Sequence, residues 1–194
     1  MTDLPDGMKS YLELERSLDE YARAANEALG SGGARFALFK AAYKQQFSPG
    51  AADAIVWAIL GDILVLYYLG LTPSVIVELH ATLEHYARRD LPYLITSKKE
   101  SCGVVKQLVE RRTLSELSKM LVTIGVWSNE DSAFMSRLAK LRNGIAHNNE
   151  ASLGRALGGQ EYQHINDARL AVAEIDVLPY VMSTIVALVK LATA

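Results

Sequence analysis

Arg142, Asn143 and His147 share one short string, Leu138-Ala-Lys-Leu-Arg-Asn-Gly-Ile-Ala-His147. A guanidinium, a carboxamide and an imidazole suffice to cleave a phosphodiester without metal. Imidazole has an ordinary pKa of about 6.5 and exchanges a proton near neutrality. A guanidinium neutralises phosphate charge bidentately, and an amide orients either group. If the substrate is RNA, it supplies its own nucleophile, the 2′-hydroxyl. His147 takes that proton, a second imidazole protonates the departing 5′-oxygen, and Arg142 holds the charge that builds on phosphorus. The products are a 2′,3′-cyclic phosphate and a 5′-hydroxyl. Asn143 either fixes the imidazole or binds phosphate. No metal or cofactor is expected, because the sequence has no clustered carboxylates.

The string needs a helix to present it. At about 100° per residue, Phe134, Leu138, Leu141 and Ile145 form one apolar stripe over residues 131–147, while Ser136, Lys140, Asn143 and His147 lie opposite. Asn143 and His147 are then i, i+4 neighbours. Lys140 shares their face and reads as a substrate-binding residue. Arg142 lies near the edge of the stripe, about 140° from His147 on an ideal helix. For the two to converge, the arginine stem must wrap round or the helix must loosen at Gly144, where glycine makes loosening cheap. The plainer reading of His147 is an ordinary exposed histidine.

Other candidates are weaker. His80, Glu84, His85, Arg88 and Arg89 fall on one helix, with His80/Glu84, Glu84/Arg88 and His85/Arg89 at i, i+4. They read first as surface pairs, each contributing a few tenths of a kcal/mol. In the functional reading Glu84 or Arg88 lines the cleft. Asp62 falls within an apolar run; a buried carboxylate there needs a partner, and Arg142 would serve. Tyr67, Tyr68 and Trp57 read as core. The chain has no phosphate loop at Walker spacing, no Gly-x-Ser-x-Gly and no paired-histidine metal motif.

The surrounding elements read as helices between short breakers. One covers 8–29, with Leu12, Leu14, Leu18, Tyr21 and Ala25 inward, and Gly30-Ser-Gly-Gly33 ends it. A shorter helix covers 34–47. Ser48-Pro49 opens an apolar helix over 50–70, and Thr72-Pro73 opens 73–89. Thr113-Leu-Ser-Glu116 is a capping box starting a helix to about 125, and Ser128-Asn-Glu-Asp131 is another helix start. A last helix covers 162–192, with a kink or break at Pro179; His164 and Asn166 lie in its cap region. No run alternates with period two, so no sheet is expected. The fold class is all-α, an up-and-down helical bundle with additional helices, in a single domain over 1–194.

Composition sets bounds. Half of the 194 residues are apolar and the net charge is −2, which does not advertise a nucleic-acid binder. Locally, residues 137–155 hold Arg137, Lys140, Arg142 and Arg155 against Glu150, and residues 98–119 are also basic. The single Cys102 cannot form an internal disulfide, which fits a reducing, cytoplasmic setting. The N-terminus lacks the apolar segment of a signal peptide. Ala51–Leu71 is long enough to span a membrane, but Asp53 and Asp62 interrupt it, and a central Asp costs about 2.5–3.5 kcal/mol on insertion. A buried bundle helix is expected there, and no membrane partner.

The segment around Arg142 resembles the signature of the HEPN superfamily. Its members carry Arg-x4–6-His, often with Asn directly after the Arg, following Leu-x-x-Leu. Leu138, Leu141, Arg142, Asn143 and His147 match, and Glu78–Arg89 is similar to the family's earlier helix. The resemblance covers about residues 50–192 and leaves the N-terminal helices of 1–47 outside. It implies an α-helical bundle that dimerises, bringing two copies of the motif to a shared cleft. It also implies RNA as the partner and a metal-independent endoribonuclease, of the kind found as toxins, anti-phage effectors and RNA-processing enzymes. An Asn143/His147 face opposite the core independently asks for a second subunit to exclude water. The rival reading is a non-catalytic helical module binding a cognate antitoxin, a partner protein or a nucleotide.

Overall fold

The computed structural model describes residues 30–47, 51–96 and 99–194. Every regular element among them is an α-helix, and no strand occurs among these residues. In chain order these are α1 over 30–46, α2 Ala51–Ile59, α3 Gly61–Tyr68, α4 Thr72–Ile95, α5 Lys99–Glu110 and α6 Leu114–Thr123, followed by α7 Asn129–His147, α8 Glu150–Ala156, α9 Ile165–Ala173 and α10 Leu178–Thr193. The expected helix over 8–29 and the Ser48-Pro49 cap lie outside the described residues, as does the side chain of Trp57. No single described helix is long and apolar enough to cross a membrane.

The bundle is built around α4. Val75, Ile76, Leu79, Leu83, Ala87 and Leu91 recur at three- and four-residue spacing and are all fully buried. That row lets α4 pack against α3, α5, α6, α7, α9 and α10. Each leucine so buried stabilises the fold by roughly 1.5–3 kcal/mol. The helix runs past its expected end at residue 89 and through Pro92 to Ile95, because Leu91 and Pro92 are themselves buried against neighbours. At its start Leu71 is the N-cap, and Thr72 is the first helical residue, buried and without a side-chain cap bond.

Three contacts fix α7, which carries the Arg-Asn-His string. Its N-terminus is a capping box: Ser128 Oγ accepts from the Asp131 N–H at 3.2 Å, and Asp131 Oδ2 accepts from the Ser128 N–H at 2.7 Å. Lys190 of α10 donates to the same Asp131 oxygen at 2.6 Å. Just before α7, the buried Trp127 donates its indole N–H to the Ala187 carbonyl of α10 at 3.1 Å. The expected capping box between Thr113 and Glu116 is present at α6.

Elsewhere tertiary packing overrode local signals. Gly30-Ser-Gly-Gly33 is not a break: all four residues are helical in α1. Gly32 lies against α3, where a Cβ would come within 2.7 Å of the Tyr68 carbonyl oxygen, and Arg35 Nη1 donates to that same oxygen at 2.9 Å. The expected single helix over 50–70 is two helices, broken at the fully buried Leu60. The break lets α2 pack on α10 while α3 packs on α4. Asp53 of α2 accepts from the Tyr43 hydroxyl at 2.5 Å. Tyr67 is buried as expected, and Tyr68 is half-buried. The last helix breaks as Pro179 predicts, with α9 and α10 meeting at 69°; His164 is the N-cap of α9, without a side-chain cap bond. Helices α5 and α8 are additions to the expected set; α8 opens at Asn149, a strong N-cap residue.

Candidate functional site

Helix α7 is unbroken from Asn129 to His147, so Gly144 does not loosen it. Gly144 is buried for another reason: a Cβ there would sit 2.5 Å from Leu153 Cδ2 and 3.0 Å from the Leu153 backbone nitrogen. The glycine lets α8 lie directly on the last turn of α7. Asn148 then turns the chain with φ 49 and ψ 48, the left-handed region that asparagine tolerates. Its N–H and that of Asn149 both return to the Gly144 carbonyl. Arg169 of α9 donates to Asn148 Oδ1 at 2.7 Å, and Asn149 caps α8 by accepting from the Ser152 N–H at 3.0 Å. The two asparagines after His147 are thus spent on a helix–helix corner, which fixes where the histidine stands.

The buried row of α7 is rotated from the expected stripe. Leu138 and Leu141 are fully buried, but Phe134 and Ile145 are only half-buried, while Met135 is fully buried and Ala139 nearly so. Packing against α4 and α6 on one side and α8 on the other draws Met135 and Ala139 inward. Arg142 follows Met135 by seven residues and Leu138 by four. It therefore continues the core row at its open end and is half-buried rather than peripheral.

From there its guanidinium turns outward: Arg142 Nη1 donates to Asn143 Oδ1 at 3.1 Å. Of the two expected ways for the trio to converge, the unbroken helix removes loosening at Gly144, and Arg142 reaches the adjacent Asn143. Asn143, His147 and Lys140 are all exposed on the face opposite the core, as the periodicity predicts. Among the described residues none hydrogen-bonds the His147 imidazole or pairs with Lys140.

The charge of Arg142 also acts on a second histidine. His80 of α4 is buried, 7 % exposed, and its pKa is lowered to about 4. Burial is the largest cause, followed by the positive charges of Arg142 and Arg88. Glu84 Oε2 lies 3.6 Å from His80 Nδ1 and pulls the other way. Its effect is outweighed because Glu84 is already engaged by Arg88 at 2.5 Å. His80 is therefore neutral near pH 7. The sequence reading placed His80 among surface pairs; the signal it missed is that His80 follows Ile76 by four residues and borders the core row of α4.

Other candidates take structural roles. Arg88 donates to the Arg112 carbonyl through Nε at 3.2 Å and Nη2 at 2.7 Å, so the Glu84–Arg88 pair latches the α5–α6 corner. Arg89 pairs with Asp90 at 2.6 Å and lies 4.3 Å over the Tyr86 ring, not against His85. Asp62 is exposed, not buried, and does not pair with Arg142: the break at Leu60 puts it in the first turn of α3, open to solvent and favoured by the helix dipole. No group of three or more His, Cys, Asp or Glu suited to a metal ion occurs among the described residues. Comparison with models of known protein families, with curated protein sequences and with solved structures finds no match to this chain.

Proposed function

We propose that this chain is a metal-independent endoribonuclease that works as a homodimer, with the Arg142–Asn143–His147 face of each copy turned to a common cleft. The observation that carries the reading is the Arg142–Asn143 hydrogen bond on an exposed helix face. It brings a guanidinium out of the core row to the side chain that lies one turn from His147. Asn143 Oδ1 is used by Arg142, which leaves the amide N–H groups for a phosphate oxygen.

In this mechanism His147 removes the proton from the 2′-hydroxyl. The 2′-oxygen bonds to phosphorus, the bond from phosphorus to the 5′-oxygen breaks, and the His147 of the second copy protonates that leaving oxygen. Arg142 stabilises the charge on the pentavalent phosphorus, where a positioned donor contributes most. One copy alone leaves His147 open to water, so the second supplies both the acid and the exclusion of solvent. A biological dimer of this kind should bury more than about 1,000 Å².

The test is cleavage of single-stranded RNA by the purified chain in excess EDTA. A cyclic phosphate product and no cleavage of a 2′-deoxy substrate are expected. Cleavage that appears only on adding divalent metal, or that persists in His147→Ala, refutes the assignment. RNA binding without cleavage by the wild-type chain would favour the non-catalytic module instead.

A further inference from the structure

Along α7, away from His147, the same exposed face runs into a groove of about 500 Å³ between α7, the end of α8 and the start of α10. Three cations line it: Arg137 and Lys140 from α7 and Arg155 from α8. All three are exposed, and among the described residues none of them has a carboxylate within ion-pair distance. Arg155 makes only a long contact, 3.5 Å, to Ser152 Oγ. Tyr180 of α10 forms one wall, half-buried and held by Phe134 with ring centroids 5.8 Å apart. Gly158, with φ +95, carries the chain round the rim without a side chain. The hollow beyond Arg155 is bordered by Glu150 and Glu161, so the basic surface stops there.

We infer that this groove binds the phosphate backbone of single-stranded RNA on one side of the cleavage point, with Tyr180 stacking a base. The inference rests on the nuclease reading for its direction along α7. At 1.5 Å per residue, Lys140 and Arg137 lie about 10 and 15 Å along the helix from His147, the reach of a few nucleotides of strand. Unpaired cations interleaved with one fixed aromatic ring are what a single strand requires: the cations follow phosphates and the ring accepts any base. A duplex would present its bases to no ring. An acidic protein would use the cations but not the tyrosine face. The site also explains how a chain of net charge −2 can hold RNA: the charge that matters is local.

The experiment measures binding of a fluorescent, uncleavable 2′-O-methyl single-stranded oligonucleotide to the full chain by anisotropy, across a salt series. Arg137→Glu/Arg155→Glu should weaken binding at least tenfold. It should also reduce the slope of log affinity against log salt by about 1.4, near 0.7 for each lost phosphate contact. Tyr180→Leu should weaken binding several-fold with the slope unchanged. Arg111→Glu, an exposed reversal in the turn after α5, should change little. Circular dichroism melts establish that each variant is folded. Equal affinity and equal slope for the double variant and wild type overturn the proposal. So does a Tyr180→Leu chain that binds RNA normally while the double variant loses a poly-glutamate ligand as fully as RNA, which would make the groove an acidic-protein site. The two readings separate cleanly. Wild type that binds through this groove but never cleaves defeats only the nuclease. A double variant that binds and cleaves like wild type defeats only the groove.

Discussion

Replacing His80 with leucine should remove a loss of stability that the wild-type chain suffers on mild acidification. An unfolded histidine takes up its proton near pH 6.5, whereas His80 in the fold does so only near pH 4. Between those values the unfolded chain binds more protons than the folded one, so stability falls as pH is lowered through this window. Treating the site alone, the fold loses about 2 kcal/mol between pH 7 and pH 5. Carboxylates contribute little above pH 5, which makes that interval the useful one. The measurement is urea unfolding followed by circular dichroism at several values from pH 7 to pH 5, for wild type and His80→Leu. Leucine is of similar size and keeps the site filled, so the two midpoints should be close at pH 7 and diverge towards pH 5, with the variant the more stable. Parallel curves would refute the reasoning, because they would mean that burial and the two guanidiniums do not hold His80 neutral. A wild-type chain that gains stability on acidification would refute it more strongly, since Glu84 would then dominate.

Arg142→Ala removes one of the charges that depress His80, so the His80 pKa should rise, readable as a shift of its ring-proton titration by NMR; His147→Ala should leave that titration in place. Both variants should lose RNA cleavage while remaining folded, with a rate loss of about 10²–10⁴ from the missing proton transfer alone in His147→Ala. Gly144→Ala should destabilise by about 1–3 kcal/mol through overpacking on Leu153, and combining it with Leu153→Ala should cost clearly less than the sum of the two single changes, measured by denaturant midpoints. Asp131→Ala keeps the Ser128 cap on the residue-131 N–H but removes the carboxylate that accepts from the Ser128 N–H and hydroxyl and from Lys190, and should cost about 1–2 kcal/mol, lowering Tm by several degrees. Burial raises the Asp131 carboxyl, but the Lys190 ammonium and the Ser128 N–H and hydroxyl outweigh it and hold it below the usual range. The wild-type advantage over Asp131→Ala should therefore be present at neutral pH and shrink as pH falls through that depressed value.

Periodicity and caps were enough to define much of the fold, because they act over a single turn. The Ser128 and Thr113 boxes, the helix over 131–147 and the exposed face of Lys140, Asn143 and His147 all follow from neighbours within four residues. Long-range packing was not legible. Gly30–Gly33 reads as a stop until Tyr68 is brought against Gly32, and Gly144 reads as a hinge until Leu153 is laid on it. Asp62 reads as buried until the chain bends at Leu60 so that its two halves can cover different helices. His80 and Arg142 lie 62 positions apart in the chain, and no local pattern shows that packing α7 on α4 would put the charge of Arg142 among those that keep His80 neutral. The residues for the chemistry were thus set by the sequence itself, since a helix presents i and i+4 together wherever it lies. Which of them are buried, which are already engaged, and how far the arginine must turn to reach the asparagine were decided only when the helices packed.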